Sequence, residues 1–277
     1  MHSIPLLVRS WTRNTNHNPN STVNNNPIGL FDSGMGGLSV WRVLQKSLAN
    51  ESLIFYGDGA RCPYGTRSAE EIRCFTVEAV EQLLGRGCKL IVIACNTATA
   101  VAIEALREQF PETPFVGLEP AVKPAALTTQ TGRVAVLATR RSLEGELFRR
   151  TSARYGAEVE ILPVEGEGFV EIVEQSREDS PEAEAAVRRV VEPLLSVGVD
   201  KIVLGCTHYP FLRHVIERVV EGRGVDIIDS SEAIERRVEQ LLDMYDLRAE
   251  ATNEPFYDFM TAADDIYAER LRKKALG

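Results

Sequence analysis

Short β-branched runs alternate with helical patterns from residue 27 onward, and this alternation limits the fold more than any other feature of the chain. Such alternation is typical of a parallel sheet covered by helices. It predicts an α/β fold with two groups of four strands. The predicted strands are residues 28–31, 53–56, 90–94 and 115–118 in the first group and residues 134–138, 159–162, 201–204 and 225–228 in the second.

The two groups of strands repeat one another in sequence. The aligned segments are IGLFDS at 28–33 with VAVLAT at 134–139, IVIACNT at 91–97 with IVLGCTH at 202–208, and VGLEP at 116–120 with IIDSS at 227–231. An internal repeat of this kind predicts two pseudo-symmetric domains, each a mostly parallel sheet flanked by helices. Because ligands of parallel sheets bind at the carboxyl ends of the strands, the predicted active site lies in the cleft between the domains.

Composition excludes several classes of protein. The 277 residues carry a net charge of −9 without a basic cluster, which argues against a nucleic-acid partner because phosphate binding needs clustered Lys and Arg. No apolar run approaches the roughly 20 residues of a membrane span, so no membrane partner is expected. The five cysteines are an odd number and form no C-x-x-C pair, so neither a disulfide framework nor a metal site is expected. Residues 1–26 are Asn-rich with little apolar surface, which predicts a mobile N-terminal extension.

Two of the cysteines carry the predicted chemistry. Cys95 and Cys206 each follow the third strand of their group and precede a helix. A helix N-terminus lowers the pKa of a nearby thiol from about 8.5, so both positions are predicted to favour the thiolate. Inversion at a carbon needs a base on one face and an acid on the other, and two groups of one type suit both directions. Cys62, Cys74 and Cys88 are predicted to be inert small hydrophobes.

Polar residues at the strand ends complete the predicted site. Asp32 ends the first strand, ahead of a glycine-rich run at 34–37 that would let the backbone approach a ligand. This run matches neither a Walker loop nor a dinucleotide fingerprint. His208 is predicted to assist proton transfer at the neighbouring Cys206. The motifs contain no Arg or Lys for an anionic substrate, so backbone N–H groups would hold it together with Ser33, Asn96, Thr97 and Thr207.

In order and spacing, six motifs resemble those of the glutamate racemases of bacterial peptidoglycan synthesis. They are FDSGMGGLSV at 31–40, PYG at 63–65, ACNTA at 94–98, GLEPAVKPA at 117–125, LAT at 137–139 and LGCTHYP at 204–210. The resemblance runs from about residue 27 to the C-terminus, and the two cysteine motifs together are its specific part. It implies a cytoplasmic, cofactor-independent homodimer that interconverts L-glutamate and D-glutamate.

The resemblance also implies a role for each matching residue. Cys95 and Cys206 would be the acid/base pair, and Asp32 and His208 would assist them. Glu174, in FVEIVE at 169–174, resembles a further acidic position of the family, and Thr139 of the LAT motif is another candidate. The residues implied to contact substrate are Asp32, Ser33, Tyr64, Gly65, Asn96, Thr97, Thr207 and His208.

The family topology implies the domain boundaries. Residues 27–121 together with 230–277 would form the first domain, which contains Cys95, and residues 122–229 would form the second. The chain departs from the family at VEGEG, residues 164–168, where a Cys-Pro pair is usual. Its N-terminal extension resembles those of members activated by a peptidoglycan precursor, but contains no visible binding motif.

Other functions fit part of the pattern. Aspartate and hydantoin racemases share the two-cysteine arrangement, and residue spacing does not measure the length of a substrate side chain. Two pseudo-symmetric lobes also suit a non-catalytic small-molecule binding protein, although the paired thiols count against it. A pyridoxal racemase would need a Schiff-base lysine, and Lys123 is the one lysine in a motif.

Overall fold

Two parallel sheets form the frame of the molecule, and the first has five strands. The computed structural model describes residues 24–157 and 159–277, so residues 1–23 of the predicted extension lie outside the described residues. The strands of the first sheet are β1 Ile28–Asp32, β2 Leu53–Gly57, β3 Leu90–Ile93, β4 Phe115–Gly117 and β9 Tyr257–Met260. Their order across the sheet is β4-β3-β1-β2-β9, and every pair is parallel.

The second sheet has four parallel strands. They are β5 Arg133–Ala138, β6 Glu160–Glu165, β7 Lys201–Leu204 and β8 Asp226–Ile228. Their order is β6-β5-β7-β8. All eight predicted strands are therefore confirmed, and so is the predicted α/β class with two mostly parallel sheets.

The two sheets share one register, which confirms the predicted repeat. Ile28 of β1 pairs with Leu90 of β3, and Val134 of β5 pairs with Lys201 of β7. These two pairs occupy positions that the sequence repeat aligns. Because β3 and β7 end at equivalent residues, the cysteines that follow them stand at the same level of their sheets.

The fourth strands correct one detail of the alignment. Val92 pairs with Val116 in the first sheet, and Val203 pairs with Ile228 in the second. Val116 therefore corresponds to Ile228, and its predicted alignment with Ile227 is wrong by one residue. Both strands are three-residue edge strands, and a short apolar run does not fix its own register.

Eleven α-helices accompany the strands in the described part of the chain. They are α1 Leu38–Ser47, α2 Ala69–Gly85, α3 Asn96–Gln109, α4 Val122–Thr128, α5 Arg140–Glu144, α6 Glu146–Tyr155, α7 Phe169–Glu174, α8 Pro181–Ser196, α9 Arg213–Val220, α10 Ser231–Met244 and α11 Asp265–Leu276. The spacing of Ser68 and Glu71 predicts a capping box, which opens α2, and the Ser180-Pro181 pair predicts the helix start at which Ser180 caps α8. Among the described residues, no helix has both the length and the apolar character needed to cross a bilayer.

The C-terminal segment returns to the first sheet through α10, β9 and α11. β9 lies parallel to β2 at the edge of that sheet. The sequence analysis missed β9 because YDFM at 257–260 is short and only Phe259 in it is buried. Trp41 of α1 holds the strand, with its ring centroid 5.3 Å from those of Tyr257 and Phe259. The domain boundaries at residues 121 and 230 stay a prediction.

Truncation of a buried side chain in the returning segment tests its contribution to stability. Leu242 on α10 is fully buried, so Leu242→Ala is expected to lower the free energy of unfolding by about 2–5 kcal/mol, because it leaves a cavity. Leu276→Ala is the matched control: Leu276 is 57% exposed, and its loss should change stability by no more than about 0.5 kcal/mol. Urea unfolding measures both. Equal effects would contradict a core role for α10.

Candidate active site

Cys95 lies between the end of β3 and the start of α3. It is the N-cap residue of α3, and its sulfur accepts a hydrogen bond from the Ala98 N–H at 3.4 Å. The Cys95 thiol also lies 3.5 Å from the Ser33 hydroxyl, which follows β1. The strand-to-helix turn therefore fixes this sulfur at the carboxyl edge of the first sheet, as predicted.

Cys206 occupies the equivalent place after β7. A 3₁₀ turn at Tyr209–Leu212 follows it, and Pro210 lies in this first turn ahead of α9. The Cys206 sulfur is 3.8 Å from Nδ1 of His208. The carboxyl edge of the second sheet thus presents a thiol with an imidazole beside it.

One cavity brings the two cysteines together. Cys95 and Cys206 both line it, and ten of its twelve lining residues belong to the set identified from the sequence. Its volume of about 20 Å³ leaves room for roughly one water molecule. The lining residues are Ser33, Pro63, Tyr64, Gly65, Cys95, Asn96, Thr97, Thr139, Val170, Cys206, Thr207 and His208.

Glu174 does not line the cavity but hydrogen-bonds to His208, which does. Its Oε1 lies 2.7 Å from Nε2 of His208 and accepts the Met35 N–H, also at 2.7 Å. The Tyr267 hydroxyl donates to Oε2 at 2.7 Å, and the Arg270 guanidinium donates to the Glu174 carbonyl. Met35 follows β1 and Tyr267 lies on α11, which follows β9, so both belong to the half of the fold built on the first sheet. Glu174 ends α7, which follows β6 of the second sheet, and its carboxylate therefore joins the two halves.

Asp32 is fully buried and is not among the residues that line the cavity. Its carboxylate accepts hydrogen bonds from the Gly34 N–H at 3.0 Å and from the Thr207 hydroxyl at 3.1 Å. Burial raises the pKa of Asp32 from 3.8 to about 6, although the nearby charge of His208 lowers it in part. Asp32 therefore reaches the cavity only through Thr207 and through its charge.

The prediction that the helix N-terminus favours a thiolate is wrong for Cys95. Burial, with a smaller contribution from the charge of Asp32, raises the pKa of Cys95 to about 12. The hydrogen bond between Cys95 and the Ser33 hydroxyl and the one from the Ala98 N–H offset little of this. Desolvation of a buried anion outweighs one backbone N–H. The sequence shows the helix start, but it does not show how completely the cleft closes over the sulfur.

The pKa values of His208 and Glu174 are shifted in opposite directions, and both shifts favour an ion pair between the two side chains. Burial lowers the pKa of His208, but hydrogen bonds to Cys206, Cys62 and Glu174 outweigh it and raise that pKa well above 6.5. Burial likewise raises the pKa of Glu174, but the His208 hydrogen bond outweighs it and leaves the pKa lowered. The geometry thus holds an imidazolium next to the Cys206 sulfur.

The cavity offers neutral donors to an anionic ligand. No Arg or Lys of residues 24–157 and 159–277 lines it. The Nδ2 atom of Asn96 is buried and has no hydrogen-bond partner among those residues, so a donor stands ready for a ligand. The Thr97 hydroxyl lies 3.0 Å from that of Thr139 and 3.1 Å from that of Ser142. These contacts agree with the predicted use of short polar side chains.

The glycine-rich run packs closely against two side chains of the site. A Cβ atom on Gly36 would lie 2.3 Å from Nδ1 of His208, and a Cβ atom on Gly34 would lie 2.1 Å from Oε1 of Glu174. The missing side chains therefore let the loop after β1 pack against His208 and Glu174. The expected approach of this backbone to a ligand stays a prediction.

Sequence reasoning missed several neighbours of the site. Cys62, which is predicted to be inert, has its sulfur within 4.8 Å of a ring nitrogen of His208. Tyr267 belongs to α11, more than ninety residues beyond Glu174, and no local pattern signals that contact. Lys123, the lysine of the pyridoxal alternative, lines a separate cavity with Glu119 and Arg236. No sequence pattern indicates that Tyr267 lies near the site. Cys62 directly precedes the PYG motif, and this position could have indicated that it lies near the site.

Comparison with known proteins gives consistent relatives. Residues 28–238 match the family model described as Asp/Glu/Hydantoin racemase. A glutamate racemase of Herpetosiphon aurantiacus is 45% identical over 247 residues, which are 89% of this chain and 96% of the relative. The crystal structure of glutamate racemase isoform RacE1 from Bacillus anthracis is 30% identical, with a TM-score of 0.80 over 92% of this chain and 95% of that one.

A second solved structure includes bound ligands. It is Escherichia coli glutamate racemase in complex with L-glutamate and the activator UDP-MurNAc-ala. This chain is 32% identical to it, with a TM-score of 0.80, and the match covers 90% of this chain and 95% of the other. The sequence therefore matches the Herpetosiphon aurantiacus relative, and the fold matches the two solved structures, over nearly their whole length.

The burial of Asp32 generates a prediction for stability against pH. The folded-state pKa of about 6 lies above the ordinary 3.8, so the folded state binds the proton more tightly and loses stability as pH rises through this window. The Asp32→Asn variant has no titrating carboxyl at this position, so it does not lose this stability as the pH rises. The stability of the variant relative to wild type should rise by about 3 kcal/mol between pH 3.5 and pH 7.

Urea unfolding at a series of pH values measures this difference. Glu221→Gln, which removes an exposed carboxylate after α9, is the control. Parallel stability curves for Asp32→Asn and wild type would contradict the burial of a titrating carboxyl at this position.

Proposed function

The chain belongs to the Asp/Glu/Hydantoin racemase family and is an amino-acid racemase, and on that premise we propose that it interconverts L-glutamate and D-glutamate by proton transfer between Cys95 and Cys206. The single observation that carries this proposal is that the two sulfurs, from equivalent strand ends of two parallel sheets, line one cavity. A carbon between them would face an acid on one side and a base on the other.

The reaction needs no change beyond two proton transfers. In one direction the Cys206 thiolate takes the Cα proton, and the Cys95 thiol gives its proton to the opposite face of the same carbon. The Cα–H bond to the first proton breaks as the bond to the second forms, and the two sulfurs end with exchanged protonation states. The reverse reaction starts from that exchanged state, so the cycle needs no cofactor.

The charges around the two sulfurs support this cycle. Protonated His208, held by Glu174, places positive charge next to Cys206 and stabilises negative charge on that sulfur. Among residues 24–157 and 159–277, no cation contributes to the pKa of Cys95 in the way that His208 accompanies Cys206, and the raised pKa of Cys95 favours its thiol form. In the reverse direction, the α-ammonium of the substrate would supply the missing positive charge near Cys95. Asp32 and His208 thus assist the two cysteines.

Substrate binding relies on the neutral donors of the cavity. Asn96 has a free Nδ2 donor, and hydrogen bonds to the carboxylates stabilise charge that develops as the Cα proton leaves. The relatives are glutamate racemases, and one of them is solved with L-glutamate, so glutamate is the proposed substrate. The further residues proposed to contact it are Ser33, Tyr64, Gly65, Thr97, Thr139, Thr207 and His208.

The cavity must open to admit the substrate. A volume of about 20 Å³ holds roughly one water molecule and not an amino acid. We infer that residues 27–121 with 230–277 and residues 122–229 part as two domains and close around glutamate. Closure excludes water and strengthens the electrostatic interactions with the reacting carbon.

The proposed cellular role is the supply of D-glutamate for peptidoglycan synthesis. The setting is a cytoplasmic homodimer, which acts without a nucleic-acid or membrane partner. Aspartate and hydantoin remain alternative substrates, because the family model covers racemases for all three. Chiral chromatography of reactions with L-glutamate, L-aspartate and a hydantoin decides among them. Turnover of aspartate in preference to glutamate would overturn the substrate assignment.

Racemisation of L-glutamate in D2O tests the two-base scheme. The thiol that delivers the new proton exchanges with solvent, so early in the reaction deuterium should enter D-glutamate while recovered L-glutamate keeps its Cα proton. Proton NMR of the separated enantiomers measures the label. Equal early labelling of both enantiomers would require a single base and would rule out the exchange between Cys95 and Cys206.

Replacement of each cysteine tests its role separately. Cys95→Ser and Cys206→Ser should each lose racemisation by at least about a hundredfold, because a serine hydroxyl is a far weaker base than a thiolate. Cys74→Ser, at an exposed thiol on α2, is the matched control and should keep wild-type turnover. Circular dichroism checks that each variant folds. A folded variant with near-normal turnover would remove that cysteine from the mechanism.

A further inference from the structure

Three metal-binding side chains lie together beside the catalytic cavity. One ligand atom each from Cys62, Glu174 and His208 lies within 4.8 Å of the other two. They are a thiol sulfur, a carboxylate oxygen and an imidazole nitrogen. The proposed proton transfer uses His208 and indirectly Glu174, but it gives no role to Cys62.

The local backbone explains why this cluster forms. Cys62 N–H donates to the Asp58 carbonyl in the loop after β2, which places its sulfur over the start of the loop after β1. A Cβ atom on Gly34 would lie 2.9 Å from the Cys62 sulfur and 2.1 Å from Oε1 of Glu174. The glycine therefore keeps open the approach of these two side chains to one another.

We propose that Cys62, Glu174 and His208 form a binding site for a divalent cation of the zinc class. Zinc binds thiolate sulfur at about 2.3 Å and imidazole nitrogen or carboxylate oxygen at about 2.0–2.2 Å. A tetrahedral ion therefore holds its ligand atoms about 3.3–3.7 Å apart, so the present cluster needs only side-chain shifts of about 1 Å. Three protein ligands leave the fourth position to water.

The mixture of ligands selects the kind of ion. Sulfur with nitrogen suits zinc and similar borderline metals, whereas calcium and magnesium require sets of oxygen ligands. Cys62 and Glu174 are each partly exposed, so an ion can reach the cluster from solvent. On binding, Cys62 gives up its thiol proton, and the His208 nitrogen that faces the metal gives up its own. Both protons go to solvent, and no redox step is involved.

The predicted consequence is reversible inhibition, and this part rests on the proposed racemase function. A metal ion would take the place of the hydrogen bond between Nε2 of His208 and Glu174. It would move the ring relative to the Cys206 sulfur, which now lies 3.8 Å from its Nδ1 atom. The imidazole would then leave the position that the proposed proton transfer at Cys206 requires. This site departs from the sequence expectation that the chain binds no metal.

Metal binding is measured first without any turnover. The full-length protein is titrated with Zn²⁺ against a chromogenic chelator, and wild type is compared with Cys62→Ala. Wild type should bind one more equivalent per chain than the variant, or bind it at least about tenfold more tightly. Cys74→Ala removes an exposed thiol elsewhere and should bind as wild type does. Equal binding by wild type and Cys62→Ala overturns the proposal.

A second measurement identifies the ligands and the effect. Co²⁺ should give a thiolate charge-transfer band in wild type that Cys62→Ala lacks; a band kept by Cys62→Ala would place the metal on other cysteines and overturn the site. Racemisation by wild type should fall with Zn²⁺ and recover with EDTA, while Cys62→Ala should need at least about tenfold more Zn²⁺. Because binding is read without substrate, a failed site and a failed racemase assignment give different results.

Discussion

The matched register of β1 with β3 and of β5 with β7 is the constraint on which the rest of the site depends. The third strands of the two groups, β3 and β7, end at equivalent levels of their sheets. Each cysteine lies two residues after the end of its strand. The positions of the two sulfurs are therefore set by backbone hydrogen bonds of two sheets rather than by flexible loops. A proton donor and an acceptor on opposite faces of one carbon need this kind of fixed separation.

The repeat is symmetric in backbone but not in charge. His208 lies beside Cys206 and is held by Glu174, whereas the position next to Cys95 that is equivalent to His208 is Thr97, a neutral residue. The charge of Asp32 raises the pKa of Cys95. An imidazole and a carboxylate therefore surround one thiol, and burial with a negative charge raises the pKa of the other. One duplicated fold thus gives the two strand-end cysteines different electrostatic surroundings.

Local sequence patterns predicted strands, helix caps and cavity residues, but they did not predict features that depend on contacts between distant parts of the chain. Eight strands, two helix caps and seven of the twelve cavity residues follow from apolar runs, capping residues and motifs at strand ends, and the family resemblance adds Tyr64, Gly65 and Thr139. β9, the neighbour Tyr267 and the raised pKa of Cys95 did not follow. Each depends on contacts between distant segments or on how completely water is excluded, and a local pattern contains neither.

Glu174 links the opening of the cleft to the charge at Cys206. It lies on α7 with His208 nearby in the second half, but it also accepts bonds from Met35 and Tyr267 of the first half. If the halves part, the bond to His208 can persist while those from Met35 and Tyr267 break. A buried carboxylate is stabilised by each donor it keeps, so its full set of partners exists only in the closed state. In the proposed cycle, closure around a substrate therefore completes the network that holds the His208 ring, so that substrate binding and the positioning of this ring occur together.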